Sequence, residues 1–218
     1  MENFCLSGQR ESKQAGDLRA VLYDKNFSGN FIAYDVCRGE KIKGDLRYDL
    51  TLIHRELLGK ELPKTFGHYH LHQEPELYEI LSGEVKFLIQ KYETDPLVIT
   101  EAYLIEAQKG DRVIIPLGFG MVTINSNVNE EALISNWVNN GISNSYEFFK
   151  KGRGACYYIF YQEGGGWQVE KNENYKKVAP LISLVPKAFP DNLEGLDFLI
   201  QPEKYHNLLT IDNLYKKL

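Results

Sequence analysis

His68, His70 and Glu76 are residue types that ligate divalent metals, and they stand close together in the run Thr65-Phe66-Gly67-His68-Tyr69-His70, followed after five residues by Glu76-Leu77-Tyr78. Two imidazoles two residues apart share a face if the backbone is a β-strand, whereas a helix would splay them. Glu76 and Tyr78 repeat that spacing on the next apolar run, so a carboxylate and a phenol share a face too. Neutral imidazoles and a carboxylate oxygen form a three-ligand set suited to Fe, Mn, Ni or Zn. The competing reading is a polar strand lined by structural histidines. A lone His would favour it, but His-x-His with Glu on the following strand favours a site. His72 is a further candidate ligand, while His54 and His206 stand alone and read as structural.

Short strands with turn residues between them must hold these groups. Between residues 46 and 138 about eight segments read as strands: Tyr48 to His54, Thr65 to His70, Glu76 to Leu81, Val85 to Gln90, Ile99 to Glu106, Arg112 to Ile115, Met121 to Ile124 and Ala132 to Trp137. Ser82-Gly83 closes a hairpin, and the density of strands predicts a closed or double-sheet antiparallel all-β architecture. Upstream, Ala20 to Tyr23 and Phe31 to Tyr34 read as arm strands. Downstream, Cys156 to Tyr161 reads as an aromatic strand, either core or interface, before a Gly164-Gly165-Gly166 turn. Helix signals appear only at the end, where Pro202-Glu203 opens a segment with Tyr205, Leu208 and Leu209 on one side. The expected layout is an arm over 1–45, a barrel core over 46–165 and an extension over 166–218.

Composition narrows the class. The chain has 218 residues, 43% of them hydrophobic, which is enough for a substantial core. With Lys+Arg 25 against Asp+Glu 30 and no basic block longer than Lys150-Lys151-Gly152-Arg153, a phosphate-backbone footprint is unsupported, so no nucleic-acid partner is expected. No stretch approaches the roughly 18 apolar residues of a spanning helix, so no membrane partner is expected either. Cys5, Cys37 and Cys156 are scattered, an odd number without a Cys-x-x-Cys, and suggest neither a disulfide framework nor a thiolate zinc site; a reducing cytoplasm is the default location.

The run Tyr48-Asp49-Leu50-Thr51-Leu52-Ile53, with Gly59-Lys60-Glu61, Lys64 to His70, Pro75-Glu76-Leu77-Tyr78-Glu79-Ile80 and Ser82-Gly83, resembles the cupin-type glucose-6-phosphate isomerases, closely over about 46–138 and loosely elsewhere. The resemblance implies a dimeric jelly-roll barrel in which a divalent metal assists the interconversion of glucose 6-phosphate and fructose 6-phosphate. By position, His68, His70 and Glu76 match that family's metal ligands, with Glu76 also implicated in proton movement. Thr51, Thr65, Gly67 and Tyr78 match its phosphate contacts, and hydroxyls plus an approachable backbone N–H are suitable donors to phosphate oxygens. Trp137 and Tyr146 fall where substrate contacts are expected.

The sequence departs from the family at Met121, in Gly110-Asp111-Arg112-Val113-Ile114-Ile115-Pro116-Leu117-Gly118-Phe119-Gly120-Met121, where a fourth ligating His belongs. A thioether is a poor ligand for a hard divalent ion, so Met121 reads as core filling beside a three-ligand site. If the isomerase reading holds, Glu76 is the candidate base between C2 and C1, best served by a pKa lifted by burial, with a hydride shift as the competing route. Two further readings are a non-catalytic sugar-phosphate binder and a cupin Fe(II) oxygenase.

Overall fold

A computed structural model describes residues 4–72 and 74–218. In chain order the strands and helices are β1 (Gln9–Gln14), β2 (Ile32–Lys43), β3 (Leu46–Ile53), β4 (Tyr69–His70), β5 (Glu76–Ser82), β6 (Glu84–Tyr92), β7 (Val98–Gln108), β8 (Arg112–Ile115), β9 (Gly120–Asn125), β10 (Ala132–Asn139), β11 (Asn144–Ser145), α1 (Glu147–Gly152), β12 (Tyr157–Gln162), β13 (Gly166–Lys171), β14 (Lys177–Val178), β15 (Leu181–Pro186), α2 (Ile211–Leu214) and β16 (Tyr215–Lys217). One six-stranded sheet runs β1-β2-β3-β10-β5-β8 and is antiparallel throughout. A second runs β16-β15-β7-β6-β9, with β14 also on β7. The β5–β6 hairpin hands the chain from one sheet to the other at Gly83, whose φ of 81° suits glycine. The fold is the expected all-β cupin jelly roll.

Period-two alternation decides what faces inward. On β3 the residues Leu50 and Leu52 pack outward with Cys37 and Phe4, while Arg47, Asp49 and Thr51 turn into the space between the sheets. Two apolar clusters close that space. One gathers Ile80, Phe87, Ile89, Ile105, Val113, Ile115 and Ile134; the other gathers Leu18, Leu22, Ile53, Leu62, Leu104, Val122 and Phe149. Phe87 is fully buried, and its truncation to Ala should cost about 3–5 kcal/mol.

Four local expectations need correcting. Ala20 to Tyr23 is not a strand, because a 3-10 helix occupies Ala15–Val21 and buries Ala15, Leu18 and Val21 at its three-residue period, with Asp17 accepting from the Gln14 N–H. The predicted strand Thr65 to His70 shrinks to β4, because Gly67 turns to a φ of 85° and leaves only bridges, Lys64 to Ile124 and His68 to Met121, alongside β9. A helix does precede the C-terminal segment: α1 is one short turn anchored by fully buried Phe149, where helix signals were expected only at the end. Finally, Cys5 and Cys37 form a disulfide across 32 residues of sequence, because β1 folds back on β2 and brings the arm beside Cys37. The predicted C-terminal segment is a 3-10 turn, Pro202–Lys204, followed by α2. The aromatic strand β12 buries Tyr158, Ile159 and Phe160 inside the chain. Among the described residues no helix is long and apolar enough to cross a membrane.

Candidate functional site

A cavity of about 460 Å³ opens where the two apolar clusters meet. Its wall is written in alternate residues: Glu11 and Lys13 of β1; Tyr34, Val36 and Arg38 of β2; Arg47, Asp49 and Thr51 of β3. Glu76 and Tyr78 of β5 and Ile134, Asn136 and Val138 of β10 continue it, and Met121 and Thr123 of β9 close the far side. Thr65, Gly67, His68 and His70 descend along β9, and Tyr146 and Lys150 form part of the rim.

His68, His70 and Glu76 converge as the spacing predicts. The ligating atoms lie within 4.8 Å of one another: His68 Nε2 and His70 Nε2 are 3.1 Å apart, and Glu76 Oε2 is 3.6 Å from the first and 3.3 Å from the second. His70 Nδ1 lies 2.6 Å from the Glu74 carbonyl, a bond that fixes the proton on Nδ1 and leaves the Nε2 lone pair facing the cluster. Glu76 Oε2 is buried without a conventional hydrogen-bond partner, while Oε1 accepts from Asn136 Nδ2 at 2.6 Å. Two imidazole nitrogens and an orphaned carboxylate oxygen facing one point are what a divalent cation requires, so the donor set fits a metal.

Charge in the cluster departs from the sequence expectation. Burial alone would raise the pKa of Glu76, but His68 and His70 beside it outweigh burial and hold the carboxyl well below its ordinary range, so burial does not lift it toward neutrality. Burial lowers the pKa of His68, favouring the neutral imidazole a metal needs. For His70 burial also acts downward, but Glu76 and the Glu74 carbonyl prevail and the pKa rises.

The expected phosphate contacts line the same cavity. Thr65 Oγ1 accepts the Thr123 N–H at 3.1 Å, so its own O–H remains available to donate. A Cβ on Gly67 would meet Val122 Cγ2 at 2.5 Å, so packing requires glycine whether or not an anion lies against its N–H. Tyr78 donates its phenol O–H to Met121 Sδ at 3.8 Å. Trp137 corrects the expectation of a substrate contact: it points to the opposite face of β10, its ring 4.8 Å from that of Tyr48, because only alternate residues look inward. His72 is exposed and lies outside the ligand cluster. His54 bridges Asp35 and Glu131, and His206 accepts no part in the site.

Several lining residues escaped sequence reasoning. Asn136 is one; its signal was its place two residues beyond Ile134 on an inward face. Asp49, almost fully buried, accepts from Arg47 Nε at 2.9 Å and from the Gly39 N–H at 2.7 Å, with Arg38 Nη1 at 3.9 Å, so one carboxylate holds two guanidinium groups at the cavity. Lys13, paired with Glu11, and Lys150, paired with Glu147 at 2.7 Å, add further charged groups to the lining.

The family model described as glucose-6-phosphate isomerase matches residues 12–177. No curated protein matches the chain. Among solved structures the chain is similar to a cupin-2 domain containing protein from Shewanella frigidimarina (16% identity, 47% of this chain and 78% of that one, TM-score 0.32). It is also similar to an oxalate decarboxylase from Lactobacillus farciminis (18% identity, 53% and 32%, TM-score 0.42). The chain belongs to the cupin-type glucose-6-phosphate isomerase family.

Proposed function

We propose that this member of the glucose-6-phosphate isomerase family is a metal-dependent isomerase that interconverts glucose 6-phosphate and fructose 6-phosphate in the cavity between its sheets. The observation that carries the reading is the meeting of His68, His70 and Glu76 with Thr51, Thr65, Gly67 and Tyr78 in one space of about 460 Å³, a size usual for small-molecule sites.

His68, His70 and Glu76 would hold a divalent ion, Fe, Mn, Ni or Zn, which when bound supplies polarisation of the sugar oxygens. Thr51 and Thr65 donate hydroxyl hydrogens to the phosphate, joined by Tyr78 once its O–H turns from Met121 Sδ, and so orient C1 and C2 toward Glu76. Glu76 takes the proton from C2 and returns it at C1, while the proton on O2 passes to O1, so that the aldehyde becomes a primary alcohol and the C2 alcohol a ketone. A second route for the same reaction is direct hydride transfer from C2 to C1 with the O2 proton passing to O1, which needs no base at carbon. Deuterium from solvent appearing in the product supports the base; none supports the hydride.

Isomerase assay on protein loaded with each metal tests the whole reading. Tight fructose 6-phosphate binding without turnover in any metal overturns it in favour of a sugar-phosphate binder, and oxygen consumption with Fe(II) would support an oxygenase. Homodimerisation and a cytoplasmic location belong to the same proposal, and light scattering tests the first.

A further inference from the structure

We infer that Asn136 is a positioning residue for Glu76, dividing the labour of its two carboxylate oxygens so that only Oε2 is offered to a metal; the inference rests on the metal-site part of the reading above. Asn136 sits on β10 between its register partners Asp49 of β3 and Tyr78 of β5, and its side chain reaches diagonally to Glu76. Its Nδ2 donates to Oε1 at 2.6 Å, whereas Oε2, 3.3 and 3.6 Å from the two imidazole nitrogens, has no conventional hydrogen bond. The Asn136 amide oxygen could not occupy the Nδ2 position, since it would face an ionised carboxylate with no proton between. Asn136 as a whole is only 7% exposed, so water does not readily replace its amide.

A carboxylate free at both oxygens can close on a cation through both. With Oε1 held back by Asn136, Glu76 would present Oε2 alone to a cation. An outer partner that orients a ligating carboxylate commonly changes metal affinity 10–100-fold when lost.

Co(II) titration of the full chain without any sugar tests the inference through the visible absorption band, whose intensity falls as coordination number rises. Asn136→Leu keeps volume but removes the donor. The expected result is a weaker band than in the unsubstituted protein, together with a shift of about tenfold in Co(II) affinity. Should N136L not fold, N136A, which only removes atoms from a cavity wall, carries the same expectation. A folded variant with unchanged band and affinity overturns the role, as does failure of the unsubstituted protein to bind Co(II). Absence of isomerase turnover in a protein that passes the Co(II) test overturns the proposed reaction and leaves this inference standing.

Discussion

Met121 lies directly opposite His68: the His68 N–H donates to the Met121 carbonyl at 3.1 Å, and the Met121 N–H returns the bond to the His68 carbonyl at 2.9 Å. The side chain at position 121 therefore enters the cavity beside the ligand cluster, where its thioether accepts from Tyr78. Met121→His should supply a fourth nitrogen and tighten binding of Zn or Mn at least about tenfold, the scale on which even outer partners move affinity. An unchanged metal titration would mean that an imidazole there does not reach the ion.

Glu76→Gln keeps the shape of the side chain and deletes its charge. Metal binding should weaken, because two imidazoles lose their anionic companion, and isomerisation should stop. Fructose 6-phosphate binding, measured calorimetrically, should survive through Thr51, Thr65 and Tyr78. Turnover at the original rate in E76Q would remove Glu76 from the chemistry.

The ligand triad was legible in the sequence because a spacing of two has the same meaning in any extended backbone. His68 and His70 share a face even though only Tyr69–His70 is a ladder strand. The strands of the two sheets were legible for the same reason. Trp137 was misplaced because counting from a motif fixes position only to about one residue, and in a strand one residue reverses the face. The pairings of Asn136 with Glu76 and of Arg38 with Asp49 could not be read: the first joins residues 60 apart and the second crosses a bulge in β2, and only the register between strands brings them together. The disulfide was hidden likewise, since its two cysteines approach only through the β1–β2 pairing.

Thr65 offers a test of the phosphate cradle. Thr65→Val removes a donor and leaves the Thr123 N–H without its acceptor, so it should destabilise the fold by about 1–2 kcal/mol as well as weaken phosphate binding. Thr51→Val is the cleaner probe, and the loss of one hydroxyl–phosphate bond, about 1.5–3 kcal/mol, corresponds to roughly 10–100-fold in KM. Co(II) affinity should not move in T51V. A KM equal to that of the unsubstituted enzyme would place the phosphate elsewhere.

Asp35 should govern acid stability. Fully buried, it accepts from Arg10 Nη2 at 3.1 Å, from Ser12 and from His54 Nε2 at 3.0 Å. Burial raises its pKa but these bonds outweigh burial, and the net direction is downward. The stability it contributes is therefore present above the unfolded value of about 3.9 and is lost as pH falls through the lower folded value. Asp35→Asn should cost about 1.5–3 kcal/mol at neutral pH and flatten the stability profile below about pH 4. A denaturation series showing the same acid slope in D35N would assign the acid transition to another carboxylate.

Thiol counting tests the latch on the β1 arm. Cys5 and Cys37 are joined, and Glu40 Oε2 accepts the N–H groups of Leu6, Ser7 and Gly8 beside them, so the arm that carries Glu11 and Lys13 to the cavity is tied at its base. Cys156 is fully buried, and burial pushes its thiol pKa far up, so no thiol should react in the native protein. Unfolding without reductant should release one, and unfolding after reduction three. Cys5→Ser should lower stability by about 2–4 kcal/mol and, by loosening β1, raise KM for the sugar phosphate more than it lowers kcat. Three reactive thiols in unreduced, unfolded protein would mean that the pair stays reduced, and that Glu40 and the strand ladder alone hold Glu11 and Lys13 at the cavity mouth.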